Sequence, residues 1–223
     1  MEPAERAQWG ALPPLSIVWQ CHLDVETYLA LGQQIEVGQL PCPDCGRWLG
    51  GWGGYWRWVR GRGSRRLWIR RGRCSACARS QALLPDFLLE RRLDEVEVIG
   101  HALALSVGAR LGMRRVAEPL EVPMTTVRGW RRRFGLRAPV LAAALVALAV
   151  GLHPAPVLLG AEGEVAAIEA LGAAWQRARA RFGQRVPAVW RFWSLVSGGQ
   201  ALGTNRSPPA TRRLGAGWMA PTP

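Results

Sequence analysis

The sequence contains no lysine, and all 29 of its basic residues are arginine. A glycine-rich phosphate-binding loop that ends in lysine is therefore excluded. Aspartate is scarce as well: there are four, and none follows Asp94. Two-metal phosphoryl-transfer chemistry cannot be assembled from the tail carboxylates alone, which are Glu162, Glu164 and Glu169. Both tyrosines, Tyr28 and Tyr55, also lie far from the tail, so no tyrosine nucleophile is present there. These absences predict a protein that is not an enzyme.

Signals for export and for membrane insertion are weak. Residues 1–20 carry Glu2 and Glu5, and they lack both a basic start and a long apolar stretch. The longest apolar run, residues 140–152, is too short to span a bilayer, and His153 and Pro154 follow it. We therefore expect a cytoplasmic protein with no membrane partner.

Four of the five cysteines form two C-x-x-C pairs, Cys42 with Cys45 and Cys74 with Cys77. Tetrahedral zinc takes four thiolate ligands, and two such pairs joined by a β-hairpin build a zinc ribbon. In the first pair, Gly46 follows the second cysteine and is free to adopt a positive φ. The spacing predicts one structural zinc ion.

Other uses of the cysteines fit less well. Two disulfides would require an oxidising compartment, and a thioredoxin-like site needs a single pair at a strand–helix junction. Four thiolates leave no open position for water, which argues against catalytic zinc. The fifth cysteine, Cys21, is predicted to be a small core residue outside the site.

The formal net charge is +13 and the isoelectric point is about 11.3. Such a charge indicates a polyanionic partner, with nucleic acid first and an acidic membrane surface second. The charge is also segregated. Residues 47–92 hold twelve arginines against two acidic residues, and residues 110–137 hold eight against two.

The pattern along the chain predicts an α+β fold with five regions. A strand at residues 15–21 and a helix at 24–31, capped by Asp24, are expected to pack on the ribbon. The predicted regions are an N-terminal segment (1–40), the zinc ribbon (41–92), a helix-turn-helix (93–138), a helical tail (139–197) and a disordered end (198–223).

Between the cysteine pairs, residues 55–60 and 66–70 predict two strands around a turn at 61–64. Strand alternation places Trp56 and Trp58 on one face. These and the neighbouring tryptophans either stack on bases or pack against the next domain. We favour packing for most of them, because so small a ribbon has little core of its own. Three hairpin arginines are predicted to contact phosphates: Arg57, Arg66 and Arg70.

Residues 95–109 predict a helix capped by Asp94, with an apolar stripe of Val96, Ile99, Leu103 and Val107. After it comes the pattern A-x-x-L-x-V-x-x-x-T-V-x-x-W-x-x-x-F, from Ala117 to Phe134. A small residue, a turn and a second apolar stripe in this order are typical of a helix-turn-helix. A generic helical hairpin with a solvated basic face is the alternative.

The second helix of this pair is predicted to begin near Thr125 and to bind duplex DNA. Two residues depart from the usual pattern, since Glu121 stands where glycine commonly takes the left-handed turn position and Pro119 intrudes late in the first helix. The predicted DNA-contacting residues are Thr125, Thr126, Arg128, Arg131, Arg132, Arg133, Arg114 and Arg115.

The tail is predicted to be helical. The apolar run at 140–152 indicates a helix that is buried or faces a partner, either another protein or a second copy of the chain. Residues 164–182 form an amphipathic pattern. Its apolar face holds Val165, Ile168, Leu171, Trp175, Ala178 and Phe182.

The succession C-P-x-C-G, arginine-rich hairpin, C-x-x-C, Leu-Leu-Pro, helix and T-V-x-x-W resembles the N-terminal DNA-binding part of insertion-sequence transposases of bacteria. It is most similar to short actinobacterial proteins with this layout. The resemblance covers residues 41–134 and implies binding of double-stranded DNA. Such transposases continue into a nuclease domain with an Asp/Asp/Glu metal site, which this sequence lacks.

The resulting hypothesis is a non-catalytic, zinc-dependent, double-stranded DNA-binding protein, either transposase-derived or regulatory. Two alternatives stay open. One is a zinc-ribbon module that binds protein or RNA. The other is a transposase subunit whose nuclease is supplied in trans.

Overall fold

A computed structural model describes residues 16–61 and 63–203. Apart from one short helix after the first strand, the strands come first along the chain and the helices follow, in agreement with the predicted α+β class. The strands are β1 (Ser16–Trp19), β2 (Leu49–Gly61), β3 (Gly63–Cys74) and β4 (Ser80–Pro85). The α-helices are α1 (Val25–Leu31), α2 (Val96–Leu103), α3 (Met113–Ala117), α4 (Met124–Leu152), α5 (Gly163–Phe182) and α6 (Val189–Val196).

The strands form one sheet in the order β1-β4-β3-β2. β2 and β3 make a long antiparallel hairpin, in which Trp58 lies opposite Arg66 and Gly61 opposite Gly63. β4 adds antiparallel to β3, and β1 adds parallel to β4. The two predicted hairpin strands are confirmed, but they are longer than predicted: β2 extends to Gly61 and β3 begins at Gly63.

The segment that follows β1, residues 20–35, packs against this sheet. Asp24 caps α1 as predicted, because its Oδ1 accepts a hydrogen bond of 2.8 Å from the Thr27 backbone N–H. Tyr28 is fully buried, and its hydroxyl donates to the carbonyl of Trp68 at 2.9 Å. The Tyr28 ring also meets Phe87 edge-to-face. These contacts fix the N-terminal segment on β3 and on the loop after β4.

The helices enclose a second core. α2 buries the predicted stripe and continues into a π-helical turn, Ala104–Gly108. The prediction that Asp94 caps α2 is wrong, because Glu95 is the residue at the cap position. The Asp94 carboxylate instead accepts a hydrogen bond of 3.0 Å from the Arg60 guanidinium, which ties β2 to the start of the helices.

α4 is a single helix of 29 residues. Its buried residues recur every three or four positions and form one continuous stripe: Val127, Trp130, Phe134, Ala138, Leu141, Leu145 and Ala149. The predicted boundary between residues 138 and 139 therefore falls inside a helix, and the tail shares the core of the preceding segment. Pro139 lies within α4 on its exposed side, and the helix and its buried stripe continue past it.

Among the described residues, α4 is also the one helix long and apolar enough to cross a membrane by length and composition. In the structure its apolar stripe is buried against other helices, above all α5.

α5 has the predicted extent, but its deepest face differs from the predicted one. Leu171 and Ala178 are buried as predicted, whereas the other four residues of that face are only half-buried. The buried face consists mainly of alanines, which let the α5 backbone approach α4 closely. Its members are Ala166, Ala167, Ala170, Leu171, Ala174 and Ala178.

Residues 198–203 are ordered, so the prediction of disorder is wrong for them. Ala201 and Leu202 are fully buried, and the carbonyl of Gly199 accepts a hydrogen bond of 2.9 Å from the Glu90 N–H. Burial of two apolar side chains outweighs the glycine-rich, polar composition on which that prediction rested. Residues 204–223 lie outside the described part of the chain, as does Leu15 of the predicted first strand.

Candidate metal centre and nucleic-acid-binding surface

The two cysteine loops have the same backbone design. The N–H of Cys42 donates to the carbonyl of Arg47 at 2.7 Å, and the N–H of Cys74 donates to that of Arg79 at 2.9 Å. The residue after the second cysteine has a positive φ in both loops, 74° at Gly46 and 58° at Ala78. The value at Gly46 confirms the sequence prediction. Each loop thus turns both of its thiols toward the other loop.

The four loop thiols form one cluster, with all Sγ atoms of Cys42, Cys45, Cys74 and Cys77 within 4.8 Å of one another. The Sγ atoms of Cys42 and Cys77 are 3.6 Å apart, and those of Cys45 and Cys74 are 3.3 Å apart. Four sulfurs at about 2.3 Å from a tetrahedral metal ion would be about 3.8 Å apart. The donor set and its spacing therefore fit one metal ion.

The thiols of the cluster differ in pKa. Although hydrogen bonds from the backbone N–H groups of Arg47 and Arg79 oppose the shift, burial and hydrogen bonds with the other thiols of the cluster raise the pKa values of Cys45 and Cys77. Backbone N–H groups of the second loop, that of Cys77 first, lower the pKa of Cys74 to about 6. A deprotonated sulfur is the form that binds metal. Within residues 16–61 and 63–203, this cluster is the group of cysteine, histidine and acidic side chains close enough to hold an ion.

Cys21 lies outside the cluster, as predicted. It is buried in the smaller core with Tyr28 and Ile35, and this burial raises the pKa of its thiol to about 11. Such a thiol is a packing residue rather than a ligand or a nucleophile.

α3 and α4 are joined by a tight turn. Val116 and Ala117 are buried near the first turns of α4, and the N–H of Val122 donates to the carbonyl of Ala117 at 3.2 Å. Glu121 has a φ of 52°, the left-handed conformation expected at this position. Pro119 lies in the turn and not in α3, so it does not disrupt the helix.

The predicted apolar stripe of α4 is confirmed. Val127, Trp130 and Phe134 are each at most 3% exposed. The opposite face carries Thr125 and Arg128, which are exposed, and Arg132 one turn further on is exposed as well. α4 thus presents a polar and basic outer face at its N-terminal end.

The other predicted contact residues on this pair differ in accessibility. Arg114 and Arg115 of α3 are exposed, whereas Thr126 is half-buried. Arg131 forms an ion pair of 3.3 Å with Glu164 of α5, and Arg133 donates to the carbonyl of Gly129 at 3.0 Å. The latter two guanidinium groups are therefore partly used within the protein.

A cleft of about 240 Å³ lies between the start of α4 and the segment before α2. Arginines line it, among them Arg91 and Arg92, which were not predicted to belong to this site. Their only sequence signal was their position in the first arginine-rich segment. The polar lining residues are Arg60, Arg91, Arg92, Asp94, Thr125, Thr126 and Arg133.

The hairpin arginines predicted to contact phosphates have three different environments. Arg57 points inward, where it donates to the carbonyls of Leu89 and Arg92, and burial lowers its pKa. Arg70 is half-buried and donates through Nε to the carbonyl of Ile35 at 2.8 Å. Arg66 alone of the three is exposed. Arg57 is therefore a structural residue, because its charge is used to hold the loop after β4.

The expectation that most hairpin tryptophans pack against the next domain is wrong. Trp48, Trp52, Trp56 and Trp58 are 60%, 52%, 42% and 57% exposed, respectively. The helical core and the sheet core both form without these four side chains, because the sheet buries Val59, Leu67 and Ile69 on its other face.

A family model described as a domain of unknown function (DUF6431) matches residues 42–116. The match spans both cysteine pairs, the hairpin and α2, and it ends within α3. No curated protein and no solved structure matches the chain. Over about a third of its length, the chain is similar to this family.

Proposed function

We propose that this chain is a zinc-dependent, double-stranded DNA-binding protein that is transposase-derived or regulatory and has no catalytic activity of its own. In this proposal the cysteine loops and the β2–β3 hairpin form a zinc ribbon, and α3 and α4 form a helix-turn-helix. The observation that carries it is the amphipathic N-terminal part of α4, in which Trp130 is buried on one face and Arg128 and Arg132 are exposed on the other.

The exposed face of α4 has the chemistry of a reader of the major groove. An arginine can form two hydrogen bonds with the O6 and N7 atoms of guanine, and threonine can contact either a base or a phosphate. Arg114 and Arg115 on α3 and the arginine-lined cleft beside α4 would hold the phosphate backbone. The formal charge of +13 favours such a polyanion.

Zinc is the ion that four thiolates at tetrahedral spacing suit best. The ion would link the two loops at the base of the hairpin, where little apolar core is available. Binding of the metal and folding of the ribbon should therefore be coupled.

Elemental analysis of the purified protein tests this part of the proposal. We expect one zinc ion per wild-type chain and a loss of zinc in the Cys42→Ser variant. Cys21→Ser is the matched control, since Cys21 lies outside the cluster, and it should keep the ion. Equal zinc contents in wild type and Cys42→Ser would contradict the assignment.

The proposed absence of catalytic activity rests on the surroundings of the carboxylates in the tail. In the tail, Glu164 pairs with Arg131, and Glu169 accepts a hydrogen bond of 2.9 Å from the Gly160 N–H. We expect no cleavage or strand transfer of duplex DNA with Mg²⁺ or Mn²⁺. Metal-dependent nicking that disappears in the Glu164→Gln and Glu169→Gln variants would show that the tail has a catalytic role.

Selection from a pool of random duplexes with the zinc-loaded protein tests DNA binding. We expect enrichment of one short motif that contains guanine. A pool that stays random after several rounds would contradict sequence-specific binding and would favour the interaction-module alternative. A nuclease-domain gene next to this one would favour the alternative of a transposase subunit.

A further inference from the structure

The exposed face of the β2–β3 hairpin is a row of aromatic rings that alternate with arginines. Trp56 and Trp58 are two residues apart on β2 and lie on the same face. Across the hairpin, Trp68 lies opposite Trp56, and Arg66 lies opposite Trp58. Tryptophan is usually highly buried, so two indoles that are 42% and 57% exposed on one face of the hairpin indicate a binding surface.

Cations lie directly on these rings. The Arg66 guanidinium is 5.6 Å from the Trp56 ring centre and 5.9 Å from that of Trp58. A separate pair lies nearer the cysteine loops, where the Arg73 guanidinium is 4.4 Å from the Trp52 ring centre; strand alternation places Arg73 on the other face of β3 from Arg66. Both arginines remain exposed. The surface therefore offers flat aromatic faces and positive charge within reach of one another.

This pairing of groups matches the two repeating parts of a nucleic acid strand. Bases present flat faces that stack on aromatic rings, and phosphates carry the negative charge that arginine attracts. In a duplex the base faces are already stacked on one another and are hidden. An exposed tryptophan face can therefore bind only bases that are unpaired and unstacked.

The spacing along β2 also favours an unstacked strand. Trp56 and Trp58 are about 6.8 Å apart along the strand direction, since a β-strand rises about 3.4 Å per residue. This is about twice the 3.4 Å repeat of a strand within duplex DNA. Successive indoles thus match bases that have been pulled apart.

We infer that the face formed by Trp56, Trp58 and Arg66 binds single-stranded DNA by stacking unpaired bases on the indoles. This surface lies on the hairpin and is separate from the outer face of α4, to which duplex binding is assigned above. The inference goes beyond the proposed function and does not depend on it.

The test is the affinity of the full-length, zinc-loaded protein for oligothymidylate of about 16 nucleotides, the upper end of common site sizes. An abasic oligomer of the same length is the control, because it has the same phosphates but no bases. We expect the oligothymidylate to bind more tightly than the abasic oligomer. Equal affinity for the two would overturn the inference, since charge alone would then explain binding.

Variants of Trp58 separate stacking from apolar contact. Trp58→Leu should weaken binding roughly 5- to 150-fold, the range for loss of one stacked base, whereas Trp58→Phe should retain most of the affinity. Trp58 is more than half exposed, so these variants should keep the zinc content and thermal stability of the wild type. Wild-type affinity of Trp58→Leu would overturn the inference.

Two further arms distinguish this surface from others. Binding of oligothymidylate should be unchanged in the Arg128→Ala, Arg132→Ala double variant, whereas binding of selected duplex should be unchanged in Trp58→Leu. An oligouridylate of the same length should bind no more tightly than oligothymidylate. Clear preference for the RNA, or loss of oligothymidylate binding in the α4 variant, would contradict a hairpin surface for single-stranded DNA.

Discussion

Gly46 and Ala78 occupy equivalent positions, each one residue after the second cysteine of its loop, and both have a positive φ, 74° and 58°. A glycine adopts this conformation without strain, whereas an alanine pays about 1–2 kcal/mol for it. Among the described residues, no atom other than those of its two chain neighbours lies within 4 Å of a Cβ added at Gly46, so only backbone conformation separates the two residues.

The substitution Ala78→Gly should therefore stabilise the zinc-loaded protein, by about 1 kcal/mol after the added freedom of the unfolded chain is subtracted. Gly46→Ala should destabilise it by about 1–2 kcal/mol. Chemical denaturation of the zinc-loaded variants measures both changes. If Gly46→Ala unfolds at the same denaturant concentration as wild type, the left-handed conformation at this position is not required.

The Arg191 side chain of α6 holds the helices against the sheet. Its Nη1 donates to the carbonyls of Cys21 and Leu23 at 3.0 and 3.1 Å, and it lies 3.6 Å from a carboxylate oxygen of Asp86. Asp86 is fully buried, and burial raises its pKa to about 7, although Arg191 opposes the shift. The charged form of Asp86 is thus less favourable in the folded protein than in the unfolded chain.

The sign of the resulting pH dependence follows from linkage. Between the unfolded pKa of about 4 and the folded pKa of about 7, the folded state binds more protons, so this group lowers stability as pH rises. An Asp86→Asn variant does not titrate. Its free energy of unfolding minus that of wild type should therefore increase from pH 4 to pH 7. A difference that stays constant across this window would contradict the raised pKa, and changes in zinc binding at low pH cancel in the comparison.

Pro139 lies in the interior of α4 and interrupts its hydrogen bonding, because proline has no N–H for the carbonyl of Gly135. Pro139→Ala should restore that bond and stabilise the protein, by on the order of 1–3 kcal/mol. Val140→Ala on the neighbouring exposed position is the control and should change stability much less. Thermal unfolding measures this change. If Pro139→Ala unfolds at the same temperature as wild type, a continuous helix through Pro139 is contradicted.

Local patterns in the sequence predicted the features that depend on near neighbours. The cap at Asp24, the stripe through Trp130 and each cysteine pair follow from spacing within a few residues, and the hairpin between the two pairs brings their thiols together. The continuity of α4 was not predictable in this way, because the stripe beyond Pro139 is stabilised by α5, which is distant in sequence.

Side-chain environments were the least predictable feature. Arg57 and Arg66 belong to the same arginine-rich segment of the sequence. The guanidinium of Arg57 is nevertheless buried against carbonyl groups, whereas that of Arg66 is exposed. The buried face of α5 consists mainly of alanines. Because alanine is less hydrophobic than neighbours such as Trp175, the sequence pattern predicted the face with the larger side chains instead. In each case tertiary packing determines which side chains are buried, and this cannot be predicted from the sequence of a single strand or helix.

The central claim is that the outer face of α4 reads duplex DNA. The most direct test is a salt titration of binding to a selected duplex and to a scrambled one, for wild type, the Arg128→Ala, Arg132→Ala double variant and the control Arg185→Ala. Wild type should prefer the selected duplex, and affinity for both duplexes should fall steeply with salt.

The double variant should lose most of the preference for the selected duplex, since each two-bonded arginine–guanine contact contributes about 1–3 kcal/mol of discrimination. It should still bind both duplexes at low salt through the remaining arginines, and Arg185→Ala should keep the preference. If the double variant binds both duplexes with wild-type affinities across the titration, α4 does not contact the bases and the account is contradicted.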